Sequence, residues 1–143
     1  MSSKKRETAL FLFDLYSAVV KIEEYVAPVS DAATLKYDFK TWDAVMHEFT
    51  VMGEAAKHLV KEGWLPSEDR VVVDFRNIIV HHYFGLDAED VWHTIQHAMP
   101  PFKNRIENLI ASLDPVIRQK WIEVYLQDPL PGSVEKAFKK LIE

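Results

Sequence analysis

The densest cluster of side chains able to do acid–base chemistry lies in residues 74–85. Its members with chemical potential are Arg76, Asn77, His81, His82 and Tyr83. Histidine has an ordinary pKa of about 6.5 and can accept or donate a proton near neutral pH. The planar guanidinium of an arginine can bind two oxygens of a phosphate at once. The cluster therefore contains the groups needed for proton transfer beside a bound phosphate.

The spacing within this cluster restricts how its residues can cooperate. Five residues turn an ideal helix by about 140° from the starting direction, so Arg76 and His81 do not share a face. Arg76 and Tyr83 are seven residues apart and nearly do. Residues that favour an unwound helix end stand at Asn77, His82 and Gly85. Either the helix loosens near His81, or two chains share the site.

Other catalytic classes have weaker support in the sequence. The chain has no cysteine, no Gly-x-Ser-x-Gly elbow and only 4 glycines, none grouped in a phosphate-binding loop. His93 and His97 have the spacing of two metal ligands on one helix face, but no glutamate follows His93 as in metalloproteases. We favour packed or solvent-facing histidines and expect neither a metal nor a cofactor. Gly53 is interpreted as a point of close helix packing, in preference to the alternative that the neighbouring Glu54 is buried and holds a polar network.

The elements that position these residues are predicted to be helices. Apolar side chains recur every three or four residues over 8–26, 38–61 and 87–113. A helix of about 17 residues is predicted from an N-cap at Ser67, despite β-branched runs that could indicate strand. A turn capped by Ser30 and two helices over 114–126 and 133–142 complete the prediction. Pro100 and Pro101 should kink or divide the fourth long helix.

This pattern predicts an all-α fold, an up-and-down bundle of four to five main helices. The bundle is assigned to residues 1–113, and residues 114–143 form a helical extension packed on the same domain or on a partner. Lys and Arg number 17 against 22 Asp and Glu, so the net charge of −5 offers no general attraction to nucleic acid. The absence of cysteine and of an apolar run of about 18 residues predicts a cytoplasmic protein without membrane contact.

The pattern from Arg76 through His81 to Tyr83 reproduces the R-x4-6-H-x-Y motif of HEPN domains. Flanking segments match as well: residues 40–45 and 52–57 on the preceding helix, and residues 83–87 and 91–92 after the motif. Over about residues 7–113 the sequence resembles the HepT-like family of HEPN toxins. Residues 114–143 extend past the usual end of these proteins.

The resemblance implies a homodimeric, metal-independent endoribonuclease. It would be the toxin of a type II or type VII toxin–antitoxin pair, with a minimal nucleotidyltransferase as antitoxin. By the same resemblance Arg76, His81 and Tyr83 are catalytic and Tyr83 is a modification site. Asn77, His82 and Glu54 are predicted to support the site or to contact RNA. A two-fold dimer would place two copies of His81 and Arg76 around one cleft and create a local basic groove for RNA.

Three other interpretations of the same residues stay open. The chain could act mainly as the partner of a nucleotidyltransferase, with the Tyr83 phenol accepting AMP groups. It could be a catalytically silent helical interaction module. In purely structural terms, Arg76 could pair with Asp74 or Glu54 at a helix end, with His81 a satisfied polar group and Tyr83 part of the core.

Overall fold

A computed structural model of the protein describes residues 3–81, 85–127 and 132–142. The described part is helical throughout its regular structure and contains no strand, which confirms the predicted all-α fold. The helices are α1 (Ser3–Val26), α2 (Ala32–Tyr37), α3 (Phe39–Lys61), α4 (Arg70–His81), α5 (Ala88–His93), α6 (Met99–Ala111), α7 (Pro115–Gln127) and α8 (Gly132–Lys140), with a π-helical turn over Thr94–Ala98 between α5 and α6.

The core of the bundle lies between α1, α3, α4 and α6. Helix α1 packs along α3 and α6, and α4 packs on α3. The short α2 contacts both α3 and α5. Phe49, Phe75 and Phe102 are almost fully buried, and their ring centroids follow one another at 5.8 and 5.4 Å. These aromatic contacts fix α4 between α3 and α6, and α4 carries the first half of the predicted motif.

Both ends of α3 carry the predicted signals. The Asp38 carboxylate accepts a hydrogen bond from the Thr41 backbone N–H at 3.1 Å, which caps the first turn. Gly63 follows the last turn with a φ of 79°, a left-handed conformation that glycine adopts without strain. The backbone N–H of Gly63 bonds to Val60 and that of Trp64 to Leu59, so the helix ends in a Schellman motif.

Three predicted helix starts are wrong in detail. Helix α1 begins at Ser3 rather than at Thr8, and Asp31 rather than Ser30 caps α2. Helix α4 begins at Arg70 because Asp69, and not Ser67, accepts a backbone N–H, that of Val71 at 3.0 Å. The Ser67 hydroxyl instead bonds to its neighbour Glu68, since residues 66–69 form a turn. The predicted continuation of α4 to residue 84 lies outside the described residues.

The single long helix predicted over 87–113 is divided, as its prolines require. Pro100 and Pro101 stand in the first turn of α6 and have no N–H to bond to Gln96 and His97. The turn before them widens into the π-helical segment, which lets α5 and α6 continue with a changed direction.

The C-terminal helices pack on α1. Phe138 of α8 is fully buried, and its ring centroid lies 6.2 Å from that of Phe13, 5.7 Å from that of Tyr16 and 4.9 Å from that of Tyr125. The Tyr125 hydroxyl donates a hydrogen bond to Asp14. Helices α7 and α8 therefore add side chains to the core, while the assignment of a domain boundary at residue 113 stays a prediction. Within the described ranges, no helix is both long enough and apolar enough to cross a membrane.

Candidate active site

An open cavity of about 520 Å³ lies where α4 ends and α5 begins. One wall is a single face of α4 that carries Asp74, Asn77, Ile78 and His81. Asn77 and Ile78 each lie three or four residues from Asp74 and from His81, the spacing of neighbours on one helix face. The opposite wall comes from the segment that leads into α5, from α5 itself and from the start of the π-helical turn. Its lining residues are Gly85, Leu86, Asp87, Asp90, His93 and Thr94. The volume falls within the roughly 300–1,000 Å³ of pockets that bind small ligands.

Two local signals place the second wall opposite the first. Gly85 has a φ of 78°, so the chain passes through a left-handed conformation close to the end of α4. Asp87 then starts α5, because its carboxylate accepts the Glu89 backbone N–H at 2.9 Å. Both residues were expected from sequence to break or begin helices here. Together they bring the α5 side chains to the end of α4.

Asn77 and His81 are brought together by the fold. Both are exposed, both face the cavity, and both stand one helical turn apart on α4. An exposed His81 at the rim of a cavity is accessible to a substrate. His81 is therefore not a buried polar group, and its role stays a prediction.

Arg76 lies on a different face of α4 from His81. It is exposed and is not among the described residues that line the cavity. Helix α4 stays regular through His81, so the loosening considered from sequence does not occur before that residue. A loosening after His81 falls outside the described residues, and a site shared between two chains stays a prediction.

The ion pair considered for Arg76 is not formed in the part of the chain that the structure describes. The salt bridges found there join Lys103 to Glu23, Arg105 to Asp69, and Lys139 to Glu135. Glu54 is exposed on α3 and does not line the cavity, so the interpretation of a buried Glu54 network is wrong. His82 and Tyr83 lie outside the described residues.

His93 was missed as a site residue by the sequence analysis. It borders the cavity from the wall opposite His81, and its ring centroid is 4.6 Å from that of His97. The i, i+4 spacing drew attention to the two histidines, but only as metal ligands. Among the described residues, no group of three or more His, Cys, Asp or Glu could hold a metal ion.

The cavity of one chain is acidic, whereas the basic groove was predicted for a two-fold dimer. Three carboxylates line it, from Asp74, Asp87 and Asp90, and no lysine or arginine among the described residues does so. A single chain therefore does not create a basic surface at His81.

Comparison with known proteins agrees with this architecture and motif. The ribonuclease HepT-like family matches residues 15–109. A protein of Thermococcus cleftensis named "Probable ribonuclease HepT" is 29% identical over 108 residues, which cover 73% of this chain and 97% of that one. A protein of Methanocaldococcus jannaschii named "Putative RNase" is 28% identical over 114 residues, 77% of this chain and 93% of that one. The chain has no significant match among the solved structures.

The matched residues span two thirds of the chain and include the cavity. The chain therefore belongs to the ribonuclease HepT-like family, and the prediction of this family from the R-x4-6-H-x-Y pattern is confirmed. The predicted class of enzyme, a ribonuclease, is that of the family.

Proposed function

We propose that this protein is a metal-independent endoribonuclease, the toxin of a toxin–antitoxin pair in the cytoplasm, and that it cleaves RNA at a site shared by two copies of the chain. The observation that supports this most is the position of His81. It is exposed at the rim of a ligand-sized cavity, one turn from Asn77, in a chain of a ribonuclease family.

The proposed reaction is attack of a ribose 2′-hydroxyl on the adjacent phosphorus. A bond forms between the 2′-oxygen and phosphorus, the bond from phosphorus to the 5′-oxygen breaks, and the products are a 2′,3′-cyclic phosphate and a 5′-hydroxyl. His81 carries one of the two protons that must move, and Asn77 can hydrogen-bond a substrate oxygen beside it. The Arg76 guanidinium stabilises the charge that develops on the phosphate oxygens. None of these roles requires a metal ion, and the second proton needs a further carrier.

The proposal predicts that His81→Ala and Arg76→Ala abolish cleavage and leave the fold intact, because both side chains are exposed. Loss of one proton carrier costs about 10²–10⁴-fold in rate. The assay is cleavage of labelled RNA in the presence of EDTA, with end-group analysis for the cyclic phosphate. His47→Ala, an exposed histidine on α3, is the matched control and should cleave at the parental rate. A His81→Ala protein that is folded and fully active would refute this mechanism, and an inactive parent would favour a silent interaction module.

The shared site rests on the position of Arg76. Because it does not line the cavity of its own chain, we propose that the Arg76 of a second copy reaches the phosphate held at His81. A homodimer of twice 16.6 kDa is expected by light scattering. An equimolar mixture of Arg76→Ala and His81→Ala subunits that exchange at random should regain about one quarter of parental activity, since half of the dimers are then mixed and each mixed dimer holds one of its two sites intact. A stable and fully active monomer would contradict this arrangement.

The antitoxin is proposed to be a minimal nucleotidyltransferase that adds AMP to Tyr83. The support comes from the sequence, where Tyr83 completes the motif two residues after His81. Added phosphate charge and bulk beside the site would repel an incoming RNA phosphate. Intact-mass spectrometry after co-expression should show a gain of one or more AMP groups, which Tyr83→Phe should abolish. Full neutralisation with an unmodified mass would instead favour inhibition by binding alone.

A further inference from the structure

We propose that His93 is the second proton carrier of the cleavage reaction and that it acts with His81 of the same chain. This inference rests on the proposed ribonuclease function. It adds a catalytic residue that the R-x4-6-H-x-Y motif does not contain, and it places both proton-transfer groups in one cavity.

The position of His93 is the first part of the argument. His81 ends α4, His93 ends α5, and the two residues line the same cavity of about 520 Å³ from different helices. Both residues are exposed, so neither has to leave a packed position to meet a substrate. A phosphodiester that enters this cavity therefore meets a surface that carries two imidazoles.

The local structure gives the His93 ring a defined neighbour. The π-helical turn begins directly after His93, and His97 lies next to it with ring planes inclined by 42°. His97 itself is not among the described residues that line the cavity. The two histidines are therefore chemically alike and adjacent, but only His93 faces the site, which makes His97 a close control.

The chemistry requires two proton transfers at different oxygens. One neutral imidazole accepts the proton that leaves the 2′-hydroxyl as the new bond to phosphorus forms. One protonated imidazole gives its proton to the 5′-oxygen as the bond from phosphorus to that oxygen breaks. The two imidazoles exchange protonation states in one turnover, and the proton count balances. His81 of one chain fills one of these roles, and the other falls to His93 of the same chain rather than to the His81 of a second copy.

The carboxylates of the cavity are compatible with this pair. Asp74 faces the site from α4, Asp87 from the start of α5, and Asp90 from the turn before His93. A carboxylate oxygen can accept a hydrogen bond from an imidazole N–H and so orient the ring. Within the described residues these are the acidic groups that face the two histidines.

The first experiment compares His93→Ala and His97→Ala with the parent on RNA. We expect His93→Ala to lose about 10²–10⁴-fold in cleavage rate, and His97→Ala to stay within about threefold of the parent. Circular dichroism and thermal melts establish that each variant is folded. A folded His93→Ala protein that cleaves at the parental rate while His81→Ala is inactive would overturn this inference and leave the proposed function intact.

The second experiment distinguishes proton transfer from a structural role. In an RNA with a bridging 5′-sulfur, the leaving thiolate departs without a proton, so loss of the proton donor matters little. The variant that lacks the proton donor, either His81→Ala or His93→Ala, should regain most of its lost cleavage rate on this substrate, and the other variant should not. If both variants lost the same factor in cleavage rate on both substrates, the assignment would be overturned. A distorted site lowers the rate equally whether the leaving atom is oxygen or sulfur.

The third experiment tests whether the pair belongs to one chain. Dimers mixed from His81→Ala and His93→Ala subunits contain no cavity with both histidines, so they should be no more active than either variant alone. Recovery of about one quarter of parental activity would show that the two histidines come from different chains and would overturn the inference.

Discussion

The contribution of Phe138 to the core makes a sharp test of how the C-terminal helices are attached. Phe138 has no exposed surface, and its ring packs against Phe13, Tyr16 and Tyr125. Replacement by alanine removes these contacts and leaves a cavity between α1, α7 and α8. The same substitution at Phe39, which is 74% exposed, removes an equal side chain from the surface.

The expected magnitudes differ strongly. A Phe→Ala change in a packed core costs about 3–5 kcal/mol in the free energy of unfolding, and aromatic pairs add about 0.5–1.5 kcal/mol each. Because contributions at one site are not additive, we expect a total of about 3–5 kcal/mol for Phe138→Ala. For a chain of this size that lowers the melting temperature by roughly 6–20 °C. Phe39→Ala should stay within about 0.5 kcal/mol of the parent.

The assay is urea unfolding of the three proteins at equal chain concentration, followed by tryptophan fluorescence and circular dichroism. Both probes should give one transition, with a lower midpoint for Phe138→Ala. A Phe138→Ala midpoint as close to the parent as that of Phe39→Ala would refute the reasoning. In that case α8 would not be part of the cooperative core.

Three further predictions follow from single residues. Burial raises the pKa of the Glu48 carboxyl, so its contribution to stability is present at acid pH and is lost as the pH rises through the raised pKa. The urea midpoint of Glu48→Gln, measured relative to that of the parent, should therefore rise between pH 4.5 and pH 7.5. Gly63→Ala meets no atom within 4 Å but forces a φ of 79° on alanine, so thermal melts should report a loss of about 1–2 kcal/mol. Asp87→Ala removes the cap of α5 and should cost about 0.5–2 kcal/mol by the same measurement, whereas Asp87→Asn, which keeps an acceptor, should cost less.

The local structure was readable from the sequence because its causes are local. Helix periodicity, the cap at Asp38, the glycine stop at Gly63 and the break before Pro100 all act within about one turn of the chain. The R-x4-6-H-x-Y spacing, together with the matching segments that flank it, likewise predicted the family that the comparison confirms. Local signals failed where two of them competed, as at Ser67 and Asp69, since both side chains can accept a backbone N–H and the turn at residues 66–69 decided between them.

The tertiary structure alone decided which distant residues meet. Nothing in the spacing of His81 and His93 predicts that they line one cavity; they do so because α5 begins, after the left-handed turn at Gly85, beside the end of α4. The burial of Phe138 against α1 and the exposure of Glu54 likewise depend on how complete helices pack. Side-chain types and helix periodicity are properties of neighbouring residues, whereas a site or a core depends on contacts between residues that only loop closure and packing bring together.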